Sequence, residues 1–153
     1  MRRLKKAGVG ILIVVICEFA LRLFFGFCNA PLYIEDPDFE YVFAPNQYRF
    51  RFRNVVRTNE FSMRSESINP TDTTVILLVG DSVINGGNPT DHDDLASTIL
   101  EKQFTEHYKK PVRVLNISAG SWGPDNVFAF LKKEGFFGAD VVCLVTSSHD
   151  AYD

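Results

Sequence analysis

The pattern of apolar and polar positions predicts alternating strands and helices in the second half of the chain. Short apolar, β-branched runs bounded by polar turn formers are typical of strands buried in a parallel sheet, and apolar residues at spacings of three and four indicate helices. The predicted elements are strand 74–79, helix 95–107, strand 112–117, a helix from Pro124 to Gly135, and strand 141–146. This alternation predicts an α/β domain over residues 74–153, with a parallel sheet and right-handed crossovers.

The first 28 residues combine a basic cap with a long apolar segment. Residues 7–28 are almost entirely apolar, and as a helix they span about 33 Å, enough to cross a bilayer core. Their charged residues, Glu18 and Arg22, stand four positions apart and can pair on one helix face. We predict a single-pass anchor over 1–28, with a cytoplasmic N-terminus and a periplasmic or cell-surface domain. The alternative is a cleaved signal peptide, against which Pro31 and the length of the segment argue.

Residues 29–73 are predicted to be a connector with short strands. Residues 39–43 form one candidate strand. Residues 48–53 alternate strictly between aromatic residues and arginines, which predicts a strand with one aromatic face and one arginine face. Two interpretations of Arg49, Arg51 and Arg53 remain open. They are either solvated residues that protect an edge strand, or a surface for anionic lipid headgroups or acidic glycan.

Charge and cysteine content narrow the class of protein. The chain has 153 residues and a formal net charge of −3, and residues 29–153 carry 11 basic and 18 acidic residues. A domain with a net charge of −7 argues against nucleic-acid binding, which favours basic domains. Cys143 is the only cysteine after residue 28, so no disulfide can form within residues 29–153.

Polar loops follow all three predicted core strands, and parallel strands bring such loops to one edge of the sheet. The loops are 80–82, 116–121 and 147–150. Ser82 follows Gly80 and Asp81, where it would open a helix and offer both a nucleophilic hydroxyl and an unpaired N–H. The alternative is that Asp81 and Ser82 form only a turn and a helix cap.

These residues resemble the SGNH (GDSL-type) hydrolases. The first block of that family corresponds to Gly80-Asp81-Ser82, with Gly86 four residues beyond the serine. In the second block, the family's oxyanion glycine lies five residues after an asparagine such as Asn116, which here is Ser121, and Gly120 is one position short. The resemblance implies a three-layer, flavodoxin-like fold, of which this chain holds about three core strands.

The third block of the family is Gly-x-Asn-Asp, and here residues 147–150 read Ser-Ser-His-Asp. His149 thus takes the oxyanion asparagine's place, where an imidazole N–H can donate instead, and Asp150 follows it. The fourth block, Asp-x-x-His, supplies the family's catalytic base and does not occur in this sequence. We therefore expect an N-terminal portion of a longer protein, or a truncated product. His92 and His149 are weak candidates for the base, with His92 expected in a solvated loop.

The resemblance implies a serine esterase or O-acyltransferase that acts on acyl esters, with envelope glycans as a candidate substrate. Ser82 is the predicted nucleophile, Ser82, Gly120, Ser121 and His149 the predicted oxyanion donors, and Asp81, Asn116 and Asp150 the supporting residues. No cofactor or metal is expected, and activity should be low without the base. The alternatives are a non-catalytic anchored module that binds glycan or a partner, and a degenerate fragment without stable function.

Overall fold

A computed structural model describes residues 2–69, 71, 72 and 74–147, which form a mixed α/β structure with an apolar N-terminal helix. Helices are α1 (Arg2–Phe25), α2 (Ser82–Asn85), α3 (Ala96–Tyr108) and α4 (Pro124–Glu134), with a 3₁₀ turn at His92–Asp94. Strands are β1 (Tyr33–Asp36), β2 (Glu40–Phe43), β3 (Tyr48–Arg51), β4 (Asn54–Arg57), β5 (Thr74–Gly80), β6 (Val112–Ser118) and β7 (Val141–Val145).

The predicted core strands form a three-stranded parallel sheet with β5 in the centre. β6 and β7 flank it in the order β6-β5-β7. At their carboxyl ends, Gly80 of β5 stands opposite Ser118 of β6 and Val145 of β7. The three strand ends therefore meet at one edge, and the parallel sheet predicted from the apolar runs is confirmed.

The two longer helices of the sheet region pack against different sets of sheet residues. Leu100 and Phe104 of α3 pack with Leu78, Val112 and Val114. Buried side chains of α4 pack in a second cluster with the strand residues that alternate with those of the first. The cluster includes Val127, Phe130 and Leu131 of α4, Leu77 and Val79 of β5, and Leu115 and Ile117 of β6. Because successive strand residues point to opposite faces, the two helices cover opposite faces of the sheet.

The segment between α1 and the sheet forms two antiparallel hairpins, β1–β2 and β3–β4, and the first of them contributes Phe39 and Val42 to the cluster that contains α4. Phe39 is 3% exposed, and its ring lies 5.7 Å from that of Trp122 and 5.2 Å from that of Phe130. Strand β1, which the sequence pattern did not predict, pairs with β2 within the predicted 39–43 segment.

The alternating run at 48–53 is a strand only as far as Arg51. Phe52 and Arg53 have φ values of +51° and +67° and form a two-residue turn, with Arg51 paired to Asn54 across it. The alternation predicted one continuous face for Arg49, Arg51 and Arg53. This is wrong for Arg53, because the turn ends the strand and reverses the chain.

Helix α1 ends at Phe25, three residues before the predicted end of the apolar segment. The stretch Lys6–Phe25 is long and apolar enough to cross a membrane by length and composition. Glu18 and Arg22 pair on one face, with 2.7 Å between Glu18 Oε1 and Arg22 Nε. The helix stops where Gly26 takes a left-handed conformation (φ +66°) against the backbone of Phe50.

Candidate active site

Ser82 lies at the carboxyl edge of the sheet, as the first residue of α2 immediately after β5 and Asp81. Its side chain is exposed, whereas Asp81 is 7% exposed. Asp81 caps the helix, because its Oδ1 accepts a hydrogen bond from Val83 N–H at 2.8 Å. The cap fixes the direction in which α2 leaves the strand and holds Ser82 at the edge.

Gly80 serves close packing here rather than a special turn. A Cβ at Gly80 would lie 2.6 Å from the carbonyl oxygen of Val145 and 3.1 Å from the Ile84 side chain. A side chain at position 80 would thus push β7 or α2 away from β5.

The side chains of Asn116 and Asn85 connect α2 to β6 through two hydrogen bonds. Asn116 Nδ2 donates to the carbonyl of Ile84 at 2.8 Å, and Asn85 Nδ2 donates to the carbonyl of Ser118 at 3.0 Å. Both amides are almost fully buried, so these bonds form in a low-dielectric environment. Asn116 therefore supports helix α2 and does not face the solvent edge.

The loop after β6 supplies backbone donors at the same edge. Among the described residues, none accepts a hydrogen bond from the N–H groups of Ser82, Gly120 or Ser121. Ser121 has a φ of +59°, in the left-handed region that favours glycine. The position that the resemblance assigns to an oxyanion glycine thus has a glycine-like backbone, although serine occupies it.

Tyr41 and Trp122 flank this loop and were not predicted as site residues. The Tyr41 hydroxyl donates to the carbonyl of Gly120 and so ties the first hairpin to the loop. Trp122 is 1% exposed and lines a narrow crevice with Asp81 and Thr146, and its Nε1 has no hydrogen-bond partner among the described residues. The sequence signal for Trp122 was that the chain's one tryptophan directly follows Gly120 and Ser121. No sequence signal pointed to Tyr41.

Neither described histidine reaches the serine. His92 was expected in a solvated loop, and this is wrong. The ring is 3% exposed, and its Nε2 lies 3.5 Å from Glu66 Oε1. Burial lowers the pKa of His92, and the Glu66 carboxylate opposes this shift. Neither His92 nor His107, which is exposed on α3, has a hydrogen bond to Ser82. His149 and Asp150 lie outside the described residues.

Arg64 supports the loop after the serine helix and was also not predicted. It is 1% exposed and donates to the carbonyls of Asn85, Gly87 and Thr90 at 2.6, 2.8 and 3.0 Å. Burial lowers its pKa to about 10, and the Asp91 carboxylate favours the charged form. A buried guanidinium thus holds residues 85–90 in place.

Within the described ranges, no group of three or more His, Cys, Asp or Glu side chains is placed to hold a metal ion. The arrangement consists of an exposed hydroxyl, a buried capping carboxylate and free backbone donors. Nucleophilic attack on a carbonyl and stabilisation of the resulting oxyanion use groups of these types, together with a base. No protein-family model matches the sequence, and no curated protein is significantly similar to it.

Proposed function

We propose that this chain carries the nucleophile half of a membrane-anchored serine esterase or O-acyltransferase of the SGNH type. The observation that carries the proposal is Ser82. It is exposed at the start of α2, preceded by the buried capping residue Asp81, and at the same sheet edge as the N–H groups of Gly120 and Ser121, which have no acceptor among the described residues. A serine that formed only a turn would not need this second loop of free donors beside it.

The sheet supports a three-layer, flavodoxin-like fold for the domain. Numbered in chain order, its strands lie in the order second-first-third, which is how the flavodoxin-like order begins. The second strand lies on one side of the first and the third strand on the other, and ligands of open α/β sheets bind at the switch point between the first and third strands. Ser82 and the crevice lined by Asp81, Trp122 and Thr146 lie there.

In the proposed reaction, Ser82 Oγ attacks the carbonyl carbon of an acyl ester, and its proton passes to a base. The carbonyl oxygen becomes an oxyanion that accepts hydrogen bonds from the N–H groups of Ser82 and of Gly120 or Ser121. His149 is the proposed side-chain donor. The alcohol then leaves with a proton, and water or a glycan hydroxyl takes the acyl group from Ser82. We assign the base to a residue outside the described ones, because neither His92 nor His107 has a hydrogen bond to Ser82.

Helix α1 is the proposed anchor. With the basic cap in the cytoplasm, the domain lies in the periplasm or at the cell surface, where acylated envelope glycans are candidate substrates. The chemistry requires no cofactor, and the acidic domain is not proposed to bind nucleic acid.

The competing proposal is an anchored module without catalysis, which binds envelope glycan or a protein partner. It is favoured by the absence, among the described residues, of a histidine hydrogen-bonded to Ser82. The two proposals differ in whether the Ser82 hydroxyl is reactive.

A fluorophosphonate probe tests this reactivity, since the serine oxygen bonds to phosphorus and fluoride leaves. We expect labelling of the longest product of the gene to disappear in Ser82→Ala and to persist in Ser67→Ala, a control at another exposed serine. The 153-residue chain should label at least about 1,000-fold more slowly if the base is missing from it. Labelling that survives Ser82→Ala would favour the binding module. The absence of labelling in both the longest gene product and the 153-residue chain would favour it as well.

A further inference from the structure

The β3–β4 hairpin is basic, whereas the domain as a whole is acidic. Residues 48–57 contain four arginines and no acidic residue, whereas the rest of residues 29–153 holds seven basic and 18 acidic residues. The hairpin therefore carries four of the domain's 11 basic residues and none of its acidic residues.

Two of these arginines are already engaged within the protein. Arg57 Nη1 lies 2.7 Å from Glu66 Oε1. Arg49 donates to the side chains of Asn29 and Gln47 at 3.3 and 3.4 Å. Their side chains stabilise the hairpin and its neighbours.

The other two arginines, Arg51 and Arg53, have no carboxylate partner among the described residues. The Arg51 guanidinium lies 4.4 Å above the Phe52 ring, and its Nε has no hydrogen-bond partner among those residues. Arg53 is exposed in the turn. Two guanidinium groups without a carboxylate partner among the described residues thus lie at the hairpin tip: Arg53 is exposed, and Arg51 is half-buried with its Nε shielded from solvent.

The hairpin tip is attached to the end of the apolar helix. Phe52 N–H donates to the carbonyl of Phe25, the last residue of α1, at 2.7 Å. The rings of Phe27 and Phe52 meet edge to face at 6.0 Å, and both side chains are more than 40% exposed. If α1 crosses a bilayer, the tip lies where the hydrocarbon core meets the lipid headgroups.

The two residues of the turn are not of the types that favour a turn of this kind. Two-residue hairpin loops with positive φ at both positions normally use Asn-Gly or Asp-Gly. Here Phe52 and Arg53 adopt φ values of +51° and +67°, in the left-handed region that disfavours side chains. An aromatic ring and a guanidinium at strained positions are typical of a recognition site.

We infer that Arg51 and Arg53 bind the phosphate of an anionic phospholipid in the leaflet on the domain's side of the membrane, with Phe27 and Phe52 in the adjoining apolar layer. Guanidinium groups match phosphate oxygens in geometry and charge. The inference rests on the proposed membrane anchoring, not on catalysis by Ser82.

Lipid binding at the hairpin tip would also fix the distance between the membrane and the segment that follows helix α2. At the other end of the turn, Asn54 Nδ2 donates to the carbonyl of Pro89 at 3.0 Å, and Val55 N–H donates to Asp91 Oδ2 at 2.7 Å. The hairpin therefore joins the end of α1 to the segment that follows the nucleophile helix.

The test uses the full chain in neutral detergent, titrated with dioctanoyl phosphatidylglycerol and followed by thermal unfolding. We expect saturable stabilisation that weakens with added salt. Dioctanoyl phosphatidylcholine and inorganic phosphate, at equal concentrations, should stabilise far less. In Arg51→Gln/Arg53→Gln, affinity for the anionic lipid should fall about 30-fold, the effect of two charges at a lipid surface. The matched control, Lys109→Gln/Lys110→Gln, removes the same charge elsewhere and should retain wild-type affinity.

Equal losses in both double variants would overturn the inference in favour of diffuse attraction. Equal stabilisation by phosphatidylcholine would reduce the site to an apolar contact, and equal stabilisation by inorganic phosphate would make it a free-anion site. If the arginine variant does not fold, a wild-type response insensitive to salt overturns the inference. Extraction of the chain from membranes by alkaline carbonate would refute the anchor, and fluorophosphonate labelling reports separately on Ser82.

Discussion

At the scale of single residues, buried His92 gives the domain a specific pH dependence. Its pKa is below the ordinary 6.5, chiefly because burial disfavours the charged ring. The folded state therefore binds a proton less readily than the unfolded state. Stability should be unaffected by this group above pH 6.5, and should decrease as the pH falls below 6.5 toward the folded pKa, by at most about 1.4 kcal/mol per pH unit.

Thermal or urea unfolding of the full chain in detergent, from pH 7.5 to pH 5, measures this slope. His92→Gln should flatten it whatever its effect on stability at pH 7.5, because the titrating group is gone. His107→Gln makes the same change at an exposed position and should keep the parent slope. A slope that is unchanged in His92→Gln would assign the acid sensitivity to carboxylates.

At the scale of elements, the junction between α1 and the β3–β4 hairpin depends on Gly26. A Cβ there would lie 2.0 Å from the carbonyl oxygen of Phe50 and 2.9 Å from the Cα of Arg51, and the φ of +66° disfavours any side chain. Gly26→Ala should therefore separate the hairpin from the helix end and destabilise the junction by about 2 kcal/mol or more.

Limited trypsin digestion detects this separation, because Arg51 directly precedes the strained turn and Arg53 lies in it. We expect faster cleavage there in Gly26→Ala. The matched control is Gly10→Ala inside α1, where a Cβ would meet nothing within 4 Å. Equal cleavage rates in both variants would show that the hairpin does not depend on this close approach.

The elements differ in how well local sequence predicts them. Strands β5, β6 and β7 and helices α3 and α4 have strong local periodicity and were predicted almost to the residue. The Phe52-Arg53 turn was not, because its residues are poor turn formers that only tertiary contacts hold in place. Within the site, Ser82 and its cap follow from local chemistry. The roles of Arg64 and Tyr41 depend on contacts more than 20 and 70 residues away, respectively, which single-sequence patterns do not encode.

At the scale of the whole molecule, charge separates into a basic end and an acidic domain. Residues 1–28 hold five basic residues and one acidic residue, and the remainder has a net charge of −7. Because positive flanks stay on the cytoplasmic side, α1 should insert with its first residues inside and its last turn outside. The acidic domain would then face the membrane through its least acidic part, the β3–β4 hairpin.

Cysteine accessibility tests this orientation with the chain's own residues. Cys143 is exposed on β7, and Cys17 lies within α1. In sealed spheroplasts, a membrane-impermeant maleimide should label Cys17→Ser/Cys28→Ser, which retains Cys143, and should not label Cys28→Ser/Cys143→Ser, which retains Cys17. We expect Cys143 to be labelled because the domain faces outward, and Cys17 to remain unlabelled because lipid surrounds its thiol. Labelling of Cys143 only after lysis would place the domain in the cytoplasm, and labelling of Cys17 in sealed cells would show that α1 does not span the membrane.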